Sequence, residues 1–69
     1  MVIEVQRMGL DPELVYLDDL IRSVTEVRQG ECNMDLVKKA ALLQKAFYDL
    51  KQGRVRKVEV LGATFKVID

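Results

Sequence analysis

Residues 34–52, MDLVKKAALLQKAFYDLKQ, carry two apolar strips at helical spacing, and that doubling limits the folds open to the chain. Leu36, Ala40, Leu43, Phe47 and Leu50 step by four, three, four and three, the spacing of a packing seam. Val37, Ala41 and Tyr48 form a second strip, roughly 100–140° round the same helix. Lys38, Lys45 and Asp49 take the remaining, wet side. A helix that is polar on one side only has two neighbours to bury against.

A preceding helix supplies one neighbour. Leu14, Leu17, Leu20, Ile21, Val24 and Val27 recur at spacings that fill one face, while Asp18, Asp19, Arg22 and Glu26 fill the opposite one. The pattern predicts an amphipathic helix from about Pro12 to Arg28 or Gln29. Asp11 reads as its N-cap, Pro12 as its first helical residue and Glu13 as first-turn charge that suits the helix dipole. Gly30 reads as a left-handed stop. QGECN, residues 29–33, connects the two, with Asn33 capping the second helix and Gly53 ending it. Each helix is about 27 Å long at 1.5 Å per residue. The short connection implies an antiparallel helical hairpin.

The other neighbour is a sheet, or a second copy of the chain. Residues 2–8, VIEVQRM, read as a short strand with Ile3 and Val5 toward a core and Glu4 and Gln6 toward water. RVRKVEV and ATFKVI flank Leu61-Gly62 and read as a β-hairpin. A two-residue turn sets Val60 opposite Ala63, Val58 opposite Phe65 and Arg56 opposite Val67, leaving Lys57, Glu59, Thr64 and Lys66 outward. A three-residue turn with a bulge at Gly62 shifts that register by one. The expected fold is α+β: an N-terminal strand, an antiparallel two-helix hairpin and a C-terminal β-hairpin, as two layers of helix on sheet.

At 69 residues the chain makes one small domain, a size that often needs a staple. Cys32 is its single cysteine and histidine is absent, so an internal disulfide and the usual zinc ligand sets are excluded. Self-association is the staple left open, and tight helix packing the alternative. No apolar run approaches the roughly 18 residues of a membrane span, and the N-terminus has no signal-peptide pattern. With the lone cysteine, these features point to a reducing cytoplasm.

Little here suggests catalysis. Cys32 precedes a helix N-terminus but has no histidine as base and Glu31 beside it. Ser23, the only serine, lies on a polar helix face. Asp18 and Asp19 are adjacent on a helix and diverge, so they cannot share a proton. Asp18 is spaced to pair with Arg22, and Arg22 with Glu26. The four glycines sit where turns or helix stops belong, and none builds a phosphate loop. No cofactor is expected.

Charge marks the remaining candidate. The net charge is zero, yet residues 1–35 carry −5 and residues 36–69 carry +5. Lys51, Arg54, Arg56 and Lys57 cluster, and Lys66 can join them across the hairpin. A basic ribbon of this kind can contact phosphates. Against that, the domain is neutral overall and no exposed aromatic is interleaved for stacking on bases. The stretch FYDLKQGRVRKVEVLGATFKV resembles, over about a third of the chain, the small lambda-type head–tail joining proteins of phages. There a helix ends in a similar Asp-Leu-x-x-Gly and a short hairpin follows. The second helix after that family's hairpin has no counterpart here, nor do the first helix and N-terminal strand in that family. The resemblance implies a phage or mobile-element origin.

The expected function is that of a small, non-enzymatic, cytoplasmic protein–protein interaction module, with a homodimer or a small protein as partner. Val37, Ala41 and Tyr48 are its expected contact surface. The alternative is a nucleic-acid-binding accessory protein that uses Lys51, Arg54, Arg56, Lys57 and Lys66.

Overall fold

A computed structural model describes residues 1–30 and 32–69. The elements run β1 (Val2–Arg7), β2 (Glu13–Tyr16), α1 (Leu17–Gly30), α2 (Met34–Lys51), β3 (Lys57–Val60) and β4 (Ala63–Val67). The strands form one antiparallel sheet in the order β2-β1-β4-β3. The helical hairpin covers one face of it, which is the α+β, two-layer architecture expected.

The sheet has four strands, and the extra one comes from the expected first helix. Glu13–Tyr16 is a strand paired with β1, Val2 to Tyr16 and Val5 to Glu13. Asp11 and Pro12 therefore lie in the β1–β2 loop and neither cap nor start a helix. The cause is β1. Ile3 and Val5 are buried at 0 and 3% exposure, so β1 is a central strand whose backbone needs partners on both sides. β4 serves one side and β2 the other. The ladder continues into the helix start, where the Leu17 N–H donates to the Met1 carbonyl at 3.0 Å.

Most of both strips of α2 is covered within the chain, while Leu36 and Tyr48 stay exposed at 43 and 40%. Along the seam, Ala40, Phe47 and Leu50 are buried, and Leu43 packs against the core. Phe47 meets Phe65 of β4 edge to face, with ring centroids 4.9 Å apart and planes at 77°, a geometry that suits the ring quadrupoles. The second strip turns toward α1. Gln44, three residues after Ala41 and four before Tyr48, donates from Nε2 to Thr25 Oγ1 at 3.2 Å and accepts from Arg28.

The helix ends follow local chemistry. Asn33 Oδ1 accepts from the backbone N–H groups of Asp35 (2.9 Å) and Leu36 (3.4 Å), an N-cap that satisfies two otherwise orphan donors. At the other end Gly53, at φ +78°, donates to the Leu50 carbonyl, and Arg54 N–H donates to that of Asp49. Those two bonds make a Schellman motif with Gly53 as its left-handed residue. Gly30 differs from expectation: it ends α1 in helical conformation and is not a left-handed stop. Glu31, expected beside Cys32, lies outside the described residues.

The β3–β4 hairpin has the two-residue turn. Leu61 (φ 52°) and Gly62 (φ 77°) are both left-handed, as a type I′ turn requires. Val60 faces Ala63 and Val58 faces Phe65, so the register is the unshifted one. The Val67 N–H donates to the Arg56 carbonyl, extending the ladder by one position.

Candidate functional site

The basic run comes first, because its partners can be followed one by one. Lys51 Nζ lies 3.5 Å from Asp18 of α1, and Lys57 Nζ 3.6 Å from Glu59. Arg54 Nη1 lies 2.9 Å from Asp49 Oδ1. Arg54 and Asp49 are the same two residues whose backbones close the Schellman motif, so this pair holds the helix stop from outside. The Arg56 guanidinium donates to the backbone oxygen of Asp69 at 3.4 Å. Lys66 stands directly across from Lys57 on one side and from Glu4 on the other. Each of these contacts is exposed and weak on its own. Together they set an acid or a backbone carbonyl beside Lys51, Arg54, Arg56 and Lys57.

The acidic face of α1 pairs differently from its sequence spacing. Arg22 bonds to Asp19, not Asp18, and Asp18 is occupied by Lys51 of the other helix. Lys51–Asp18 is an ion pair between side chains of the acidic and basic halves. Ser23 donates its hydroxyl to the Asp19 carbonyl, a bond within the helix. Cys32 is exposed beside the Asn33 cap. Among the described residues no group of His, Cys, Asp or Glu is arranged to hold a metal ion, and no helix is long and apolar enough to cross a membrane.

Val37, Ala41 and Tyr48 do not form an open patch. Val37 and Ala41 are half-buried on the side that carries Gln44 toward α1, and only Tyr48 is exposed, at 40%. The apolar excess lies elsewhere, on the sheet face turned away from the helices. Side chains alternate along a strand, so while Ile3 and Val5 enter the core, Val2, Glu4 and Gln6 face outward. Tyr16 stands beside Val2 and Leu14 beside Glu4. The Ile68 N–H donates to the Val2 carbonyl, which sets Ile68 on the far flank of Val2.

Leu14 and Tyr16 are 63 and 64% exposed, on a strand that forms the edge of the sheet. With Val2 and Val15 they line a shallow depression of about 250 Å³. This apolar corner was hidden in the sequence, because helical spacing assigned Leu14 to the core. The available signal was the alternation in Glu13-Leu14-Val15-Tyr16, with a β-branched and an aromatic residue together.

The opposite edge is of another character. β3 presents Lys57 and Glu59 outward, both exposed, with Arg56 just before them. Charged side chains on an edge are a common guard against strand addition. β2 has one charge, Glu13, at its start. A second depression of about 360 Å³ lies at the end of the sheet, between Met8 and the Leu61-Gly62 turn. A scan against protein-family models and searches of curated proteins and of solved structures find no match to this chain.

Proposed function

We propose that the chain is a non-enzymatic protein–protein interaction module that receives a protein partner on edge strand β2 and the apolar corner beside it. The observation that carries this reading is the exposure of Leu14 and Tyr16, about two thirds each, on an uncapped and nearly uncharged edge. An edge strand offers backbone donors and acceptors, and flanking apolar side chains give the added strand its contact area. Val2 and Ile68 extend that area across the sheet. These groups supply surface and shape. The single, exposed cysteine suits a reducing compartment such as the cytoplasm.

Site-specific photo-crosslinking in cells tests the reading. A benzophenone side chain is placed at Tyr16, and in a control chain at Lys45 on the wet side of α2. Covalent adducts to protein, whether to another species or to the chain itself, are expected from position 16 and not from position 45. Equal yields from the two positions, or none from either, would refute it.

A further inference from the structure

The phase of the β2 hydrogen bonds points to a particular partner. Because the Leu17 N–H bonds to Met1, that pair is of the hydrogen-bonded kind, and antiparallel ladders alternate. Ile3/Val15 and Val5/Glu13 are then hydrogen-bonded pairs as well. The far side of β1 agrees, since the Val2 carbonyl accepts from Ile68 of the opposite neighbour. The backbone groups of Glu13 and Val15 thus point to β1, and those of Leu14 and Tyr16 point to the open edge.

We infer that β2 pairs with β2 of a second copy, antiparallel about a two-fold axis at Val15, giving a continuous eight-stranded sheet. This rests on the reading of β2 as a docking edge and names its occupant. Such an axis, perpendicular to the sheet, keeps both faces in place, so paired residues must share a face. The register at Val15 sets Leu14 against Tyr16 of the copy and Tyr16 against its Leu14. The outward Tyr16 N–H then meets a Leu14 carbonyl, twice by symmetry. On the outer face two aliphatic–aromatic cross-strand pairs form from four side chains that are exposed in the single chain. Moving the axis to Leu14 would bring Tyr16 opposite Pro12, which has no N–H. The Val15 register is therefore the one that uses the edge fully.

The helix layer accommodates the same copy. α1 lies on the β2 side of the molecule and meets α2 through Thr25 and Arg28. Its opposite flank, which a copy paired at β2 approaches, carries Leu20, Ser23 and Val27 at helical spacing. None is charged, and Val27 is 42% exposed. A self-complementary edge, a matched outer face and an uncharged helix flank coincide on one side, which is what an isologous interface requires.

Disulfide trapping reads this register directly. In the Val15 register, residue 15 meets its own copy at a non-hydrogen-bonded site, where Cα atoms lie about 4.5 Å apart, within disulfide reach. With Cys32→Ser as background, Val15→Cys is expected to give a covalent dimer on mild oxidation. Thr64→Cys in the same background, inside the sheet, is expected to give no covalent dimer. Sedimentation of the unmodified chain should show a monomer–dimer equilibrium. Tyr16→Lys should raise its dissociation constant at least about tenfold, and Met8→Lys, at the far end of the sheet, should leave it unchanged.

Crosslinks from position 16 to a different protein, with the pure chain monomeric at 0.5 mM or so, would overturn the self-pairing and leave the module reading standing. A dimer that ignores Tyr16→Lys, or a Val15→Cys chain that does not crosslink, would overturn the β2 geometry. Absence of crosslinks from position 16 in cells would overturn both.

Discussion

Leu61 is the one described residue other than glycine with a left-handed backbone, at φ 52°. An L-residue in that region brings Cβ against the following carbonyl, at a cost of about 1–2 kcal/mol. Asparagine tolerates the conformation, which is why Asn-Gly is favoured in type I′ turns. Leu61 is also about half covered, at 51% exposure, so replacing it removes contacts as well as strain. The two effects separate if two variants are compared. Leu61→Ala loses the contacts and keeps most of the backbone penalty; Leu61→Asn loses the contacts and relieves it. Asn is therefore expected to be more stable than Ala by about 1 kcal/mol. For a domain of this size that is about 4–8 °C in Tm. Thermal melts by circular dichroism, at one fixed protein concentration so that association does not shift Tm, measure the difference. Urea titrations with equal slopes would show that the unfolded state is unchanged. Asn and Ala melting together, or Ala melting higher, would refute the claim that the backbone at position 61 carries the cost.

Three further outcomes are expected. Asn33→Ala should cost about 1 kcal/mol, read by the same melts, because Oδ1 holds two helix N–H groups. Phe47→Ala should cost about 3–5 kcal/mol. Against a total of roughly 3–10 kcal/mol for a chain this long, that lowers Tm by at least about 12 °C by circular dichroism. Leu14→Lys should change monomer stability by under about 0.5 kcal/mol, whereas Leu17→Lys, at a site 1% exposed, should abolish folding. On the expected long first helix both residues would sit in the core, so equal destabilisation by the two would refute β2.

The legible parts of the fold are those where a local rule and the tertiary contact agree. Val58, Val60, Ala63, Phe65 and Val67 alternate on either side of Leu61-Gly62, which makes the hairpin legible; its register is decided by the left-handed backbone of both turn residues. Asn33 and Gly53 do at the α2 ends what their side chains, or the lack of one, favour. Glu13–Tyr16 is different. Leu14, Leu17, Leu20 and Ile21 fit a helix, while Leu14 and Tyr16 against Val15 and Leu17 fit a strand equally well. Asp11-Pro12 favours a helix start at the same point. What decides is remote in sequence: β1 is central, and its open side must be paired. No window around residue 14 contains that fact.

The misplaced helix start and the apolar corner that helical spacing hid have one origin. With Leu14 counted as core and Tyr16 as a helical residue, the N-terminal third shows no apolar surplus. The surplus then falls on α2, whose second strip on that reading lacks a neighbour. Once residues 12–16 leave the helix, α1 begins at Leu17, alongside the C-terminal part of α2, where Lys51 reaches Asp18. Thr25 and Arg28 then meet Gln44, which turns the Val37–Ala41–Tyr48 side toward α1. The same shift puts Leu14 and Tyr16 on the outer face of an edge strand, where none of the described elements covers them. A domain this small buries only about 60% of its unfolded surface, so some apolar area remains outside in any arrangement. Placing it on a strand edge adds directional backbone bonds to whatever covers it. The same residues left on a helix face would offer area alone.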